Sequence, residues 1–110
     1  MHHVFDACAL IAYLRGEPGG AVVDGLLKNA ADTCYVHTVN LVEVYYDFIR
    51  NHSEPVALQA LEDLAAAGIL ERRDMDRNFI LRVGQLKARG RISLADCFVS
   101  FLPRRFSVKW

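Results

Sequence analysis

Short apolar stretches alternate along the chain with longer segments in which apolar residues recur every three or four positions. Residues 1–5 are predicted as a strand, and the apolar residues 7–14, closed by Gly16 and Pro18, favour a short buried helix. Further strands are predicted at residues 34–37 and 69–73, and further helices at residues 21–31, 38–52, 53–68, 74–90 and 93–102. Strands that alternate with helices indicate a mostly parallel sheet covered on both faces, because parallel strands need crossover connections. The pattern therefore predicts an α/β fold.

The length of the chain limits this fold to one domain, residues 1–110. Of the 110 residues 53% are hydrophobic, and no repeat or linker divides them. The apolar run at residues 7–14 is far shorter than the roughly 20 residues that span a bilayer. Asp6 precedes that run and no Lys or Arg comes before Arg15, which is unlike a secretory signal. We therefore expect a cytoplasmic protein that does not contact a membrane.

The three cysteines, Cys8, Cys34 and Cys97, form no C-x-x-C motif. Their odd number argues against a disulfide framework and a four-thiolate zinc site. Cys34 and His37 have a short, ligand-like spacing, but the sequence lacks a second pair. We therefore expect buried, reduced thiols.

The charges are unevenly distributed along the chain, although 13 Lys and Arg balance 13 Asp and Glu. Residues 1–76 hold five Lys or Arg against twelve Asp or Glu, whereas residues 77–110 hold eight against one. A basic segment of this kind can attract a polyanion such as RNA or an acidic protein, or it can be the solvated face of a helix. The charge pattern alone does not choose between these interpretations.

Asp6 is the first candidate residue, because ligands of parallel sheets gather at the carboxyl ends of the strands. It lies between Phe5 and a run of apolar residues, where an unpaired buried carboxylate would cost several kcal/mol. Its alternative, structural interpretation is an N-cap of the helix that begins at Ala7.

Two further acids lie in similar surroundings. Glu43 is part of an apolar stretch, although with Asp47 and Arg50 it can also form an exposed helix face. Asp96 lies in a second such stretch, where Ser93-x-x-Asp96 is also a capping-box pattern. Each of the three acids falls near the start of a helix, so they can converge at one end of the sheet. Converging carboxylates repel one another unless a cation joins them, and oxygen ligands favour Mg²⁺ or Mn²⁺.

At these residues the sequence resembles the PIN domain family, and within it the small VapC-type toxins of bacterial and archaeal toxin–antitoxin pairs. The matching stretches are VFDACALIAYLRGEPG at residues 4–19, VNLVEV at residues 39–44 and RISLADC at residues 91–97. Their order and separation agree with that family over residues 1–102. The resemblance implies a PIN-like three-layer α/β/α fold with a mostly parallel sheet.

The resemblance also implies a Mg²⁺- or Mn²⁺-dependent endoribonuclease whose catalytic, metal-binding acids correspond to Asp6, Glu43 and Asp96. Asp6 and Asp96 are expected as direct or water-mediated ligands, and Glu43 as a ligand or a water-orienting base. The residues expected to bind RNA phosphates, with the usual salt dependence, are Arg82, Lys87, Arg89 and Arg91. The implied partners are an RNA substrate, an antitoxin protein and a second copy of the chain in a homodimer.

Two departures from the family pattern bear on these expectations. Cys8 stands where family members commonly carry Ser or Thr, two residues after the first Asp. Family members also usually continue past the Asp96 helix through another strand, helix and strand, with a fourth acid near the start, whereas no Asp or Glu follows Asp96 here. We therefore expect an atypical end from about residue 101, with the last strand or strands missing through truncation or a shifted reading frame. The tail at residues 104–110 is either a short strand or frayed.

The sequence leaves three functions open. The first is the metal-dependent endoribonuclease, acting as the toxin of a toxin–antitoxin pair. The second is a truncated, catalytically impaired module of the same fold that binds an antitoxin or RNA. The third is an unrelated small α/β domain whose three acids are caps and surface charges. Metal binding separates the first two from the third, and RNA turnover separates the first from the second.

Overall fold

A computed structural model describes residues 1–102 and 106–108 of the chain. The strands in these residues are β1 (His2–Phe5), β2 (Thr33–His37), β3 (Leu70–Arg72) and β4 (Phe106–Val108). The helices are α1 (Ala7–Leu14), α2 (Gly20–Leu27), α3 (Thr38–Asn51), α4 (Glu54–Ala66), α5 (Arg77–Arg89) and α6 (Leu94–Ser100). The strands and helices that the apolar pattern predicts are therefore present, with shifts only at their ends.

The strands form one parallel sheet in the order β3-β2-β1-β4. At its centre Val4 of β1 pairs with Tyr35 of β2, and Tyr35 pairs in turn with Leu70 of β3. Because the strands run in one direction, β1 and β2 end at the same edge of the sheet. Asp6 follows β1 at that edge, and α3 begins there directly after β2.

Alternate residues of the central strands face opposite layers of helices. On one face Phe5 and Val36 belong to a buried cluster with residues of α1, α2, α3 and α4. On the other face Val4 packs with residues of α5 and α6, among them Phe79 and Phe98. Burying a large apolar side chain contributes about 1.5–3 kcal/mol, so these two clusters hold the helices on the sheet. The predicted three-layer α/β/α architecture is confirmed.

Polar side chains make two helices shorter than their apolar periodicity predicts. α2 ends before residue 31, where Asn29 Oδ1 accepts a hydrogen bond from the Ala31 N–H at 3.0 Å. α5 begins after residue 74 because Asp76 Oδ1 accepts a hydrogen bond from the Phe79 N–H at 2.8 Å and caps the helix. Short polar side chains of this kind offer the backbone partners that compete with a continued helix.

Thr38 is of a residue type that commonly caps helices, but His37 ends β2 and is the N-cap of α3. His37 Nδ1 accepts a hydrogen bond from the Val39 N–H at 3.0 Å, and Nε2–H donates to the Asp74 carbonyl at 2.9 Å. The ring centre lies 4.7 Å from that of Phe98. The imidazole therefore joins the start of α3 to the connection between β3 and α5.

The tail contributes the strand β4, which pairs in parallel with β1. Of the two alternatives for the tail, a short strand is therefore present at Phe106–Val108. Residues 103–105 and 109–110 lie outside the described residues. None of the described helices is long and apolar enough to cross a membrane.

Candidate functional site

Asp6 lies between β1 and α1 and is only 3% exposed. Its Oδ1 accepts a hydrogen bond from the Ala9 N–H at 2.8 Å, so Asp6 is the N-cap of α1. The N-terminal end of a helix also stabilises negative charge, which offsets part of the cost of burying this carboxylate. The structural interpretation of Asp6 as a cap is therefore confirmed, and the cap fixes where its carboxylate lies.

Glu43 lies near the start of α3 and is half-buried. Burial raises its pKa, the charges of Asp96 and Asp47 raise it further, and a hydrogen bond from the Tyr46 hydroxyl opposes the rise. The contribution of Asp96 means that the two carboxylates lie close enough to repel each other. The fold therefore brings Glu43 and Asp96 near each other although they are 53 positions apart in the sequence.

Asp96 lies in the first turn of α6 and is half-buried. Ser93 Oγ accepts a hydrogen bond from the Asp96 N–H at 3.1 Å, which confirms Ser93 as the cap of that helix. This bond uses the backbone of Asp96 and not its carboxylate. The capping pattern and the approach of Asp96 to Glu43 are therefore compatible.

The buried side chain of Asn40, on the helix that carries Glu43, bonds to the segments of Asp6 and Asp96, and the sequence prediction did not include it. Asn40 Oδ1 accepts a hydrogen bond from the Ala7 N–H at 3.0 Å, and its Nδ2 donates to the Ala95 carbonyl at 3.1 Å. Asn40 is fully buried and lies on the stripe of α3 that also buries Val44 and Phe48. A polar residue on such an apolar stripe is the signal that could have identified it.

Cys8 is exposed, so the expectation of buried thiols is wrong for this residue, whereas Cys34 and Cys97 are buried. It lies in the first turn of α1, on the side of the helix away from the core. Partial burial raises the pKa of its thiol, and the charges of Asp6, Glu43 and Asp96 raise it further. The carboxylates of Asp6, Glu43, Asp96 and Asp47 therefore lie near enough to Cys8 to affect its thiol.

A second missed feature is an ion pair of Asp47, which lies one helical turn after Glu43 on α3. Arg15 at the end of α1 forms an ion pair with Asp47 at 2.5 Å, and its guanidinium lies 5.2 Å from the centre of the Phe48 ring. Glu43 and Asp47 are both partly exposed on α3, and Arg50 is exposed on the same helix. Asp47 pairs with Arg15 and also accepts a hydrogen bond from Asn51 Nδ2 at 3.2 Å.

The acids of this site do not form a closed set of ligands. Within residues 1–102 and 106–108, no three His, Cys, Asp or Glu side chains are arranged so that they could hold a metal ion. The donor chemistry nevertheless fits Mg²⁺ or Mn²⁺, because the donors are carboxylate oxygens and a cation would relieve the repulsion between Glu43 and Asp96. Mg²⁺ keeps several of its waters and is commonly bound by one or two carboxylates together with substrate phosphate. A water-mediated cation is therefore compatible with this geometry.

The four residues that the sequence analysis selected for phosphate binding are all exposed. They are Arg82, Lys87 and Arg89 on α5, and Arg91 in the connection from α5 to α6. Lys87 Nζ also donates a hydrogen bond to the Ile92 carbonyl at 3.0 Å and so stabilises this connection. Since α5 packs against α6, the positive charge lies in the layer that carries Asp96.

The fold and this site define an α/β domain with acidic side chains at the carboxyl end of a parallel sheet. The sequence profile of the PIN domain family matches residues 3–102 of this chain. The chain belongs to the PIN domain family. This membership excludes the interpretation as an unrelated small α/β domain.

Solved structures of VapC proteins share the fold. VapBC2 from Rickettsia felis, bound to a DNA fragment from its promoter, is 15% identical with a TM-score of 0.66, and the match covers 90% of this chain and 77% of that one. VapC20 from Mycobacterium tuberculosis, a sarcin–ricin loop cleaving toxin, is 11% identical with a TM-score of 0.66, covering 89% of this chain and 77% of that one. No curated protein sequence matches significantly. The resemblance to VapC-type PIN domains is thereby confirmed at the level of the fold.

Proposed function

We propose that the protein is a divalent-metal-dependent endoribonuclease and the toxin component of a toxin–antitoxin pair. The observations that support this proposal are the match to the PIN domain family and the hydrogen bonds of Asn40, which join the segments that carry Asp6, Glu43 and Asp96. The structural neighbour VapC20 is a sarcin–ricin loop cleaving toxin, which supports RNA as the class of substrate.

The three acids have different roles in this proposal. Asp6 and Asp96 would hold Mg²⁺ or Mn²⁺ directly or through water, and Glu43 would be a further ligand or orient the attacking water. The cation, when bound, polarises the phosphodiester and lowers the pKa of a coordinated water. Asp6 is held in place by its cap on α1. Glu43, which is half-buried near Asp96, would accept a proton from the attacking water at its carboxylate.

The basic segment would hold the RNA. Acidic groups repel phosphates, so a substrate needs positive charge near the site, and Arg82, Arg89 and Arg91 supply it from the layer that carries Asp96. Lys87 contributes as well, although its bond to the α5–α6 connection restricts it. Each phosphate contact that is lost should weaken binding and reduce its dependence on salt.

The proposed protein partners are an antitoxin and a second copy of the chain, and the proposed location is the cytoplasm. An exposed apolar stripe on α3, formed by Val42, Tyr46 and Ile49, supports a protein partner. Contiguous exposed apolar side chains of this kind mark surfaces that associate with other molecules. The stripe flanks Glu43, so a partner bound there would also limit access to the acids.

A truncated, catalytically impaired module that binds an antitoxin or RNA is the second candidate. It is favoured by the open arrangement of the acids, since no three potential ligands close around a metal in the described part of the chain.

Cleavage of RNA tests the choice between these two functions. The purified protein is incubated with mixed RNA and Mn²⁺ or Mg²⁺, beside Asp6→Asn and Asp96→Asn variants and a sample with EDTA. Asn caps helices as well as Asp does, so Asp6→Asn removes the charge and keeps the cap. Asp24→Asn is the matched control, because Asp24 lies on α2 and pairs with Lys28 away from the site.

Cleavage that both site variants and EDTA abolish, and that Asp24→Asn retains, supports the endoribonuclease. A folded wild-type protein that binds Mn²⁺ without cleaving RNA would instead support the binding module. Cleavage that survives in Asp96→Asn and in EDTA would refute a metal-dependent mechanism through these acids.

A further inference from the structure

Asn40 is a polar residue on the apolar face of α3, and it is fully buried. A buried amide without partners costs several kcal/mol, whereas here both its oxygen and its nitrogen are bonded. The orientation of the amide is fixed by chemistry, because the Ala7 N–H can only donate and the Ala95 carbonyl can only accept.

The two bonds end beside two of the proposed metal-binding acids. Ala7 directly follows Asp6, and Ala95 directly precedes Asp96. Asn40 itself lies one helical turn before Glu43 on α3. One side chain thus connects segments that are 33 and 55 residues away from it along the chain.

We infer that Asn40 is a positioning residue that holds the segments of Asp6, Glu43 and Asp96 together, so that a divalent cation meets prearranged carboxylates. Glu43 on α3 and Asp96 on α6 are both acidic, and like charges that lie close together favour separation of the two helices when no cation is bound. The hydrogen bond from Asn40 to the Ala95 carbonyl resists this separation. The hydrogen bond from the Ala7 N–H to Asn40 holds the residue that follows Asp6 at a fixed position relative to α3. The role toward the cation rests on the proposed function.

Asn40→Leu is the principal test, because Leu has a similar branched shape and no polar atoms. Asn40→Ala is the second variant, in which a water can enter and satisfy the buried amide of Ala7 if the leucine variant does not fold. Val23→Ala is the control for lost stability, since Val23 is a fully buried residue of α2 without a role at the acids. Urea unfolding, Mn²⁺ binding by calorimetry, and kcat and KM for RNA are measured for each variant.

We expect removal of the amide to weaken Mn²⁺ binding by about 10-fold or more, the usual effect of losing a residue that orients metal ligands. We expect kcat to fall by a similar factor with little change in KM, because the basic residues that bind RNA are unaffected. Val23→Ala should lose stability and keep its Mn²⁺ affinity within about twofold.

The outcomes separate this inference from the proposed function. If the Asn40 variants lose stability but bind Mn²⁺ as tightly as the Val23 control, the inference is overturned while the nuclease proposal stands. If the wild type binds Mn²⁺ without cleaving RNA, the nuclease proposal fails and the change in Mn²⁺ affinity still decides the role of Asn40. A wild type that binds no Mn²⁺ overturns both.

Discussion

The close approach of α1 and α2 at Gly20 provides a test of the fold beneath the candidate site. A Cβ atom at Gly20 would lie 2.6 Å from Tyr13 Cα and 2.7 Å from the Ala12 carbonyl oxygen, both of them backbone atoms of α1. Carbon atoms in favourable contact lie about 3.5–4.0 Å apart, so Gly20→Ala would force α2 away from α1 by about 1 Å. Overpacking of this kind costs about 1–3 kcal/mol.

Gly25→Ala is the matched control, because Gly25 lies on the same helix and a Cβ there would have no atom within 4 Å. Alanine favours a helix over glycine by up to about 1 kcal/mol, so this variant should be more stable than the wild type. The same substitution is thus expected to shift the urea midpoint in opposite directions at two positions of α2, with an unchanged slope. Equal midpoints for the two variants would refute the backbone contact between α1 and α2 at Gly20.

Three further predictions concern charged groups and the exposed thiol. Burial and the charge of Asp96 raise the pKa of Glu43 in the folded protein. The metal-free protein should therefore lose stability as the pH rises from the pKa of Glu43 in the unfolded chain through its raised pKa in the folded protein. Urea unfolding of Glu43→Gln over the same pH range should show a smaller loss of stability than the wild type. Partial burial and the nearby carboxylates raise the pKa of the Cys8 thiol. At neutral pH, iodoacetamide should therefore alkylate Cys8 more slowly in the folded protein than in the urea-unfolded chain, as followed by mass spectrometry. Faster alkylation in the folded protein would contradict this prediction. The hydrogen bond from His3 lowers the pKa of Asp32 in the folded protein. Asp32→Asn should therefore be less stable than the wild type at neutral pH. This difference in stability should disappear as the pH falls through the lowered pKa of Asp32 in the folded protein.

The apolar pattern predicts the elements of this fold well where a single local signal dominates. α1 matches its predicted bounds, since a continuous apolar run is closed by Gly16 and Pro18. The ends of α2 and α5 were missed because side chains of Asn29 and Asp76 take over backbone hydrogen bonds there. Helix ends depend on such individual bonds, which periodicity does not record.

The candidate acids were found because they interrupt apolar stretches, but their surroundings were not. The roles of Asn40 and Arg15 depend on partners that are more than thirty residues distant in the sequence. The exposure of Cys8 depends on which side of α1 faces the sheet, and Ala7 and Ala9 take the buried positions beside it. These properties arise from tertiary packing, which a local pattern does not contain.

The two hydrogen bonds of His37 make the opposite helical layers mechanically dependent on each other. One nitrogen secures the first turn of α3, which leads to Glu43, and the other secures the carbonyl of Asp74, just before α5. Loosening the α5 layer would therefore remove one of the two hydrogen bonds that hold the His37 ring at the first turn of α3. The acidic and basic parts of the chain should thus open as one cooperative unit, and the acids should lose their alignment whenever the basic helix detaches.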